Sequence, residues 1–208
     1  MRAHGLLNRV QLQLSCLLLS LLLVSSMAHA DLRAAHRAFE SGNYKTAFKL
    51  LQPLAEAGDV EAQGNLAWLY KNGAGVEQDS ASAAEWYRKA AEQGNAYAQY
   101  NYGDMCQQGE GVAQSDEEAA KWYLKAAMQG QANAQFSLAE MYLDGAGVEE
   151  NLVEAYAWIH VVVASGVEAA ETLLEEIEFE LDEEEISAAR DLGQQRWEKY
   201  GTDPDAGE

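Results

Sequence analysis

Cys106, His36 and His160 carry the most reactive side chains after position 30. Their types admit two chemistries, a thiol nucleophile served by an imidazole base or a zinc site. No metal-ligand spacing joins either histidine to the cysteine, and Cys106 stands in the sequence where Tyr70 and Tyr142 stand in equivalent segments, which predicts a buried small residue. A reactive or dimer-forming thiol is the sharper alternative. As the sole cysteine after residue 30, Cys106 leaves no intramolecular disulfide. Ser-x-x-Lys and Gly-x-Ser-x-Gly are absent from the same region. Gly-x-Gly occurs at Gly73, Gly109 and Gly145, but each follows a helical pattern rather than a strand, so it reads as a turn and not a phosphate cradle. Carboxylates are plentiful, 34 against 14 Lys and Arg, for a net charge of −20. A general acid–base pair could be drawn from them almost anywhere, so their abundance singles out none. That field repels nucleic acid and anionic lipid and favours basic partners or cations.

What must position these side chains is a repeat. Trp86, Trp122 and Trp158 are spaced by a constant 36 residues, as are Gly75, Gly111 and Gly147, and Gly94, Gly130 and Gly166. A period of this size describes a unit that cannot bury its own apolar face and must stack on its neighbours. Three gapless units follow, 61–96, 97–132 and 133–168, each with two helical stretches around a glycine loop. Ala62, Leu66, Leu69 and Tyr70 mark the apolar face of the first stretch. Gly73, Gly109 and Gly145 end it in a left-handed residue. Asp79, Ser115 and Asn151 are N-cap types that open the second stretch, and Glu118 and Glu154 three residues on predict capping boxes. Ala83, Trp86, Tyr87 and Ala90 predict its buried face, with the tryptophans as internal struts.

Both ends of the chain differ from this frame. Arg2 and Arg9, an apolar stretch from about Val10 to Val24, and Ala28-x-Ala30 predict a signal peptide over 1–30, cleaved after Ala30. The apolar run is short for a membrane span of about 20 residues. Export to a periplasm or beyond is expected, with no stable membrane insertion after cleavage. Residues 31–60 predict an N-terminal capping unit with a short turn at Gly42. Residues 169–201 predict two closing helices, the first striped by Leu173, Leu174, Ile177 and Leu181, the second capped by Asp182 with Glu185 at the box position. Residues 202–208 predict a disordered tail. The run Glu171–Glu185 holds nine carboxylates and no basic residue. Its apolar stripe is intact, so it reads as a solvated helix face. Docking of a basic partner or of loosely held divalent ions is the sharper alternative, although no calcium-loop pattern is present.

Leu66 and Tyr70, Gly75-Val76, Ala83-x-x-Trp86-Tyr87-x-Lys89-Ala90-Ala91 and Gly94-x-Ala96 resemble the Sel-1-like repeat (SLR) family, a branch of the tetratricopeptide (TPR) superfamily. The third unit keeps the frame but carries Ile159 and Val161 where Tyr87 and Lys89 stand, and the partial first unit looks more like a plain TPR. The resemblance covers essentially the whole chain after residue 30. It implies an all-α fold, a right-handed α-solenoid of antiparallel helix pairs, and a non-enzymatic adaptor that binds protein or peptide partners on its concave face in the bacterial envelope. Some cysteine-rich relatives have been linked to β-lactam binding or hydrolysis. The paired cysteines are missing here, so that activity is not carried over. An envelope hydrolase or ligand-binding protein acting on cell-wall or β-lactam-like molecules is kept as the alternative reading.

If first helices line the concave face, as in related repeats, that face presents His36, Phe39, Trp68, Lys71, Tyr100, Asp104, Gln107, Phe136 and Glu140. Trp68 is the leading anchor, because its equivalents Asp104 and Glu140 are charged and a position that tolerates charge is open to water. Packing against a neighbouring unit or the N-terminal cap is the competing role. No catalytic residue, metal ligand or cofactor is assigned.

Overall fold

The computed structural model describes residues 31–202, and all its regular structure is helical. The expected signal peptide and most of the expected tail lie outside the described residues. The chain divides into two compact units, one ending at Gln78 and the other beginning at Asp79. The first holds α1 (31–40), α2 (Tyr44–Glu56) and α3 (Val60–Asn72). The second holds α4 (Ser80–Glu92), α5 (Ala96–Gln108), α6 (Asp116–Ala127), α7 (Ala132–Asp144) and α8 (Leu152–Ala164), each packed on the next. A 3-10 turn at Glu168–Ala170 leads into α9 (Glu171–Glu180), and α10 (Glu183–Tyr200) folds back onto α8.

The helices start and stop where the sequence signals say. Asp79, Ser115 and Asn151 accept from the backbone at the starts of α4, α6 and α8, and Gly73, Gly109 and Gly145 close α3, α5 and α7 at φ near +65°. Among the described residues only Asp182 forms a full capping box, with Glu185. The two boxes expected from Glu118 and Glu154 do not form. The N–H groups of Ser115 and Asn151 instead reach the carbonyls of Cys106 and Tyr142, at 2.9 and 2.8 Å. That frees both carboxylates for other partners. Glu118 accepts from the Trp122 indole at 2.8 Å, and Glu154 pairs with Arg196 of α10.

Successive repeats are joined by contacts that read backbone. At Gly75, Gly111 and Gly147, φ is about +70°, and an added Cβ would lie 2.1–2.4 Å from the backbone of Tyr44, Ser80 and Asp116 respectively. Each loop therefore seats on the N-terminal end of the second helix of the preceding unit, with room only for hydrogen. The glycine serves two demands at once, a left-handed turn and a close approach. A second cross-link recurs at Gln63, Gln99 and Gln135. Each buried amide donates to the carbonyl eight residues upstream, Ala55, Ala91 or Ala127, at 3.1 Å. Each of these carbonyls also accepts from the backbone N–H of Gly58, Gly94 or Gly130, so the amide adds a second bond at the end of the helix.

The internal tryptophan struts hold at Trp122 and Trp158 and need correcting at Trp86. Tyr87, Tyr123 and Ile159 are the residues sealed in every unit, at 0%, 1% and 0% exposure. Their tryptophan neighbours lie one position off that face. Trp86 is half-buried, Trp122 is buried at 7% and Trp158 at 1%. Each indole is covered by a cation instead, Lys89 at 4.0 Å from the ring centroid, Lys125 at 3.7 Å and Arg196 at 4.4 Å. The third unit has Val161 where the lysine would stand, and α10 supplies the replacement. Tyr200 stacks on Trp158 at 6.0 Å as well, and its carbonyl accepts from Gln135 at 3.1 Å.

Candidate functional site

In the first unit, the residues expected on an open face are largely drawn into packing. Trp68 is half-buried, with its ring 5.0 Å from Phe39 and 5.5 Å from Tyr44, and Phe39 and Tyr44 meet at 5.6 Å. Three rings from α1, the start of α2 and α3 thus form one cluster, which is the packing role against the N-terminal cap. The charge-tolerant repeat position carries a tryptophan here because the cap offers it aromatic neighbours. His36 of α1 lies 3.1 Å from Glu61 of α3. Lys71 is half-buried at the end of α3, where its carbonyl accepts from Gln78 at 3.0 Å. Trp68→Ala should lower the stability of this unit by about 1–3 kcal/mol, as a half-buried aromatic with two ring partners. Urea unfolding followed by circular dichroism would measure it, and an unchanged midpoint would return Trp68 to an open role.

In the second unit, the first helices keep an open stripe. Between residues 98 and 107 of α5, every position is buried except Tyr100, Asp104 and Gln107. These fall at i, i+4 and i+7, one narrow face of a helix. The equivalent positions on α7 are Phe136, Glu140 and Leu143, and none of them is buried. Tyr100 packs against the buried Tyr123 at 5.7 Å, and the Tyr123 hydroxyl donates to Gln107 at 3.0 Å. The stripe therefore rests on a fixed aromatic floor. Glu140 is exposed, yet partial desolvation first and repulsion from Asp144 second push its carboxyl above the ordinary range. A cation brought to it would relieve both.

The residues with reactive side chains lie elsewhere and are structural. Cys106 is 1% exposed, and burial pushes its thiol up. A buried, protonated thiol is a poor nucleophile. His160 packs against Gly193 of α10, where a Cβ would come within 2.8 Å of the imidazole, and burial lowers its pKa. No group of three or more His, Cys, Asp or Glu among the described residues has the geometry to hold a metal ion. Sequence reasoning missed the Gln63, Gln99 and Gln135 cross-links, although their 36-residue period was available as a signal.

Comparison with known proteins agrees with this architecture. A family model for the Sel1 repeat matches four consecutive segments, 38–59, 60–95, 96–131 and 132–160. The chain belongs to the Sel1 repeat family. Its fold is similar to that of a protective antigen present in uropathogenic Escherichia coli strains, whose crystal structure displays an SLR fold, with 30% identity and a TM-score of 0.59. That match covers 84% of this chain and 46% of the antigen. A Sel1 repeat protein from Oxalobacter formigenes is similar at 33% identity and a TM-score of 0.65, over 68% of this chain and 58% of that one. The chain thus spans about half the length of these solved relatives. No curated protein matches.

Proposed function

We propose that this protein is an exported adaptor of the bacterial envelope that grips a partner protein along the first-helix face of its second unit. One observation carries the reading. The residues that recur with the period are largely consumed in building the stack, and between residues 98 and 107 α5 leaves open only a stripe of Tyr100, Asp104 and Gln107. An aromatic and a carboxylate one turn apart, repeated as Phe136 and Glu140, suit a basic segment whose cations meet both a ring and a charge. The Ala28-x-Ala30 site supports export.

The double reversal Asp104→Lys, Glu140→Lys should reduce capture of a crosslinked envelope partner at least about tenfold, by loss of two complementary charges at an interface, while helicity stays unchanged. The same partners recovered at the same yield would overturn the assignment. N-terminal sequencing of protein from the source envelope should begin at Asp31.

A further inference from the structure

The outward face of α9 combines an exposed aromatic with uncompensated charge. Phe179 is 93% exposed, far more than any other large apolar residue described. It stands among Thr172, Glu175, Glu176 and Glu180, which share the same face of the helix. The inward face of the same helix is different. Ile177 is buried there, and Glu178 accepts from the Tyr156 hydroxyl at 2.8 Å and from Arg190 at 2.9 Å. These two bonds, the tyrosine's first and the arginine's second, hold the Glu178 carboxyl below the ordinary range. The one arginine that α10 brings to this helix is thus spent on its inner side. Glu175, Glu176 and Glu180 form no ion pair with any described residue. The last turn of α9 has no basic residue, so its carboxylates also face the negative end of the helix.

We propose that this face is a second docking surface, distinct from the α5–α7 stripe, for a basic segment of a partner protein that lays an apolar or cationic side chain on Phe179. Charge decides the occupant. A second copy of this chain would bring the same carboxylates against themselves at a net charge of −20, and an anionic lipid surface would be repelled in the same way. A segment rich in Lys and Arg neutralises Glu175, Glu176 and Glu180 while covering the ring. A central aromatic within a charged rim is how small interfaces concentrate their affinity.

The test is a selection from a random twelve-residue peptide library on the full chain at physiological salt. Fluorescence anisotropy of the enriched peptides would follow, against four variants. The expected peptides carry clustered Lys and Arg, and Phe179→Ser weakens them at least about tenfold, with unchanged helicity. Glu175→Gln, Glu176→Gln, Glu180→Gln in combination should weaken them similarly. Glu149→Gln, Glu150→Gln, which removes two exposed loop carboxylates, should change binding less than about twofold. Tyr100→Ala, Phe136→Ala should leave it unchanged, which separates this surface from the adaptor face. Equal binding by the Phe179 variant, enriched peptides without basic excess, an equal loss in the loop control, or self-association through this face in sedimentation would each overturn the proposal.

Discussion

Gly111→Ala is expected to destabilise the second unit by about 2–5 kcal/mol, whereas Gly94→Ala should cost only about 1–2 kcal/mol. Both glycines sit at positive φ, +70° and +93°, so both substitutions strain the backbone to a similar degree. They differ in space. Nothing lies within 4 Å of a Cβ on Gly94, whereas one on Gly111 would come 2.1 Å from the Ser80 carbonyl oxygen and 2.7 Å from the Ala81 nitrogen. The obstacle is backbone at the start of a helix, not the tip of a flexible side chain, so relief requires moving the loop or α4 itself. The difference between the two variants isolates the close approach from the conformational term. Chemical denaturation of the pair measures it, and equal losses would show that the loop does not seat on α4.

Trp158→Ala should be the most damaging of the three tryptophan truncations, at about 3–5 kcal/mol, because the ring is fully buried between Tyr200 and Arg196. Trp86→Ala should cost about 1–2 kcal/mol, since that indole is half-buried and loses mainly a stacked lysine. Trp122→Ala falls between them. Trp158→Phe provides a second reading of the same site. The Trp158 indole nitrogen is buried with no hydrogen-bond partner, so phenylalanine removes an unsatisfied donor and keeps most of the ring. It should cost far less than alanine. Thermal unfolding of the four variants would give the order, and equal losses for Trp86→Ala and Trp158→Ala would remove α10 from the account.

The tryptophan series shows where sequence reading reached and where it stopped. A constant interval identified the repeat, its two helices and the residues that end them, because caps and left-handed glycines are local and recur in register. It did not separate Trp86 from Trp158. Burial there depends on α10, which lies forty residues downstream and outside the period. Glu118 and Glu154 illustrate the same limit. Their positions satisfy the capping rule, but carbonyls of Cys106 and Tyr142 take the backbone donors first, and only three-dimensional packing brings them there.

The candidate face was legible in part for a related reason. Alignment of repeats placed Tyr100, Asp104 and Gln107 together, and these are the positions left open between residues 98 and 107 of α5. It also nominated Trp68 on the charge of its equivalents, where the structure supplies Phe39 and Tyr44 as neighbours. A repeat predicts what its members share. The cap is not a full member, so its aromatic partners were invisible to the comparison. Phe179 lies outside the period as well, although the stripe of Leu173, Leu174, Ile177 and Leu181 already leaves it off the apolar face of its helix.

The loops that seat Gly75, Gly111 and Gly147 touch main-chain atoms, and the amides of Gln63, Gln99 and Gln135 bond carbonyls. Neither contact depends on which side chain the receiving residue carries. Tyr44, Ser80 and Asp116 are unlike one another and receive the same loop in the same way. Units joined by such a coupling are interchangeable parts. A block of 36 residues could be duplicated or deleted in frame, and the new junction would find its seat without any compensating substitution. Length can therefore change in a single genetic event while the open faces diversify freely.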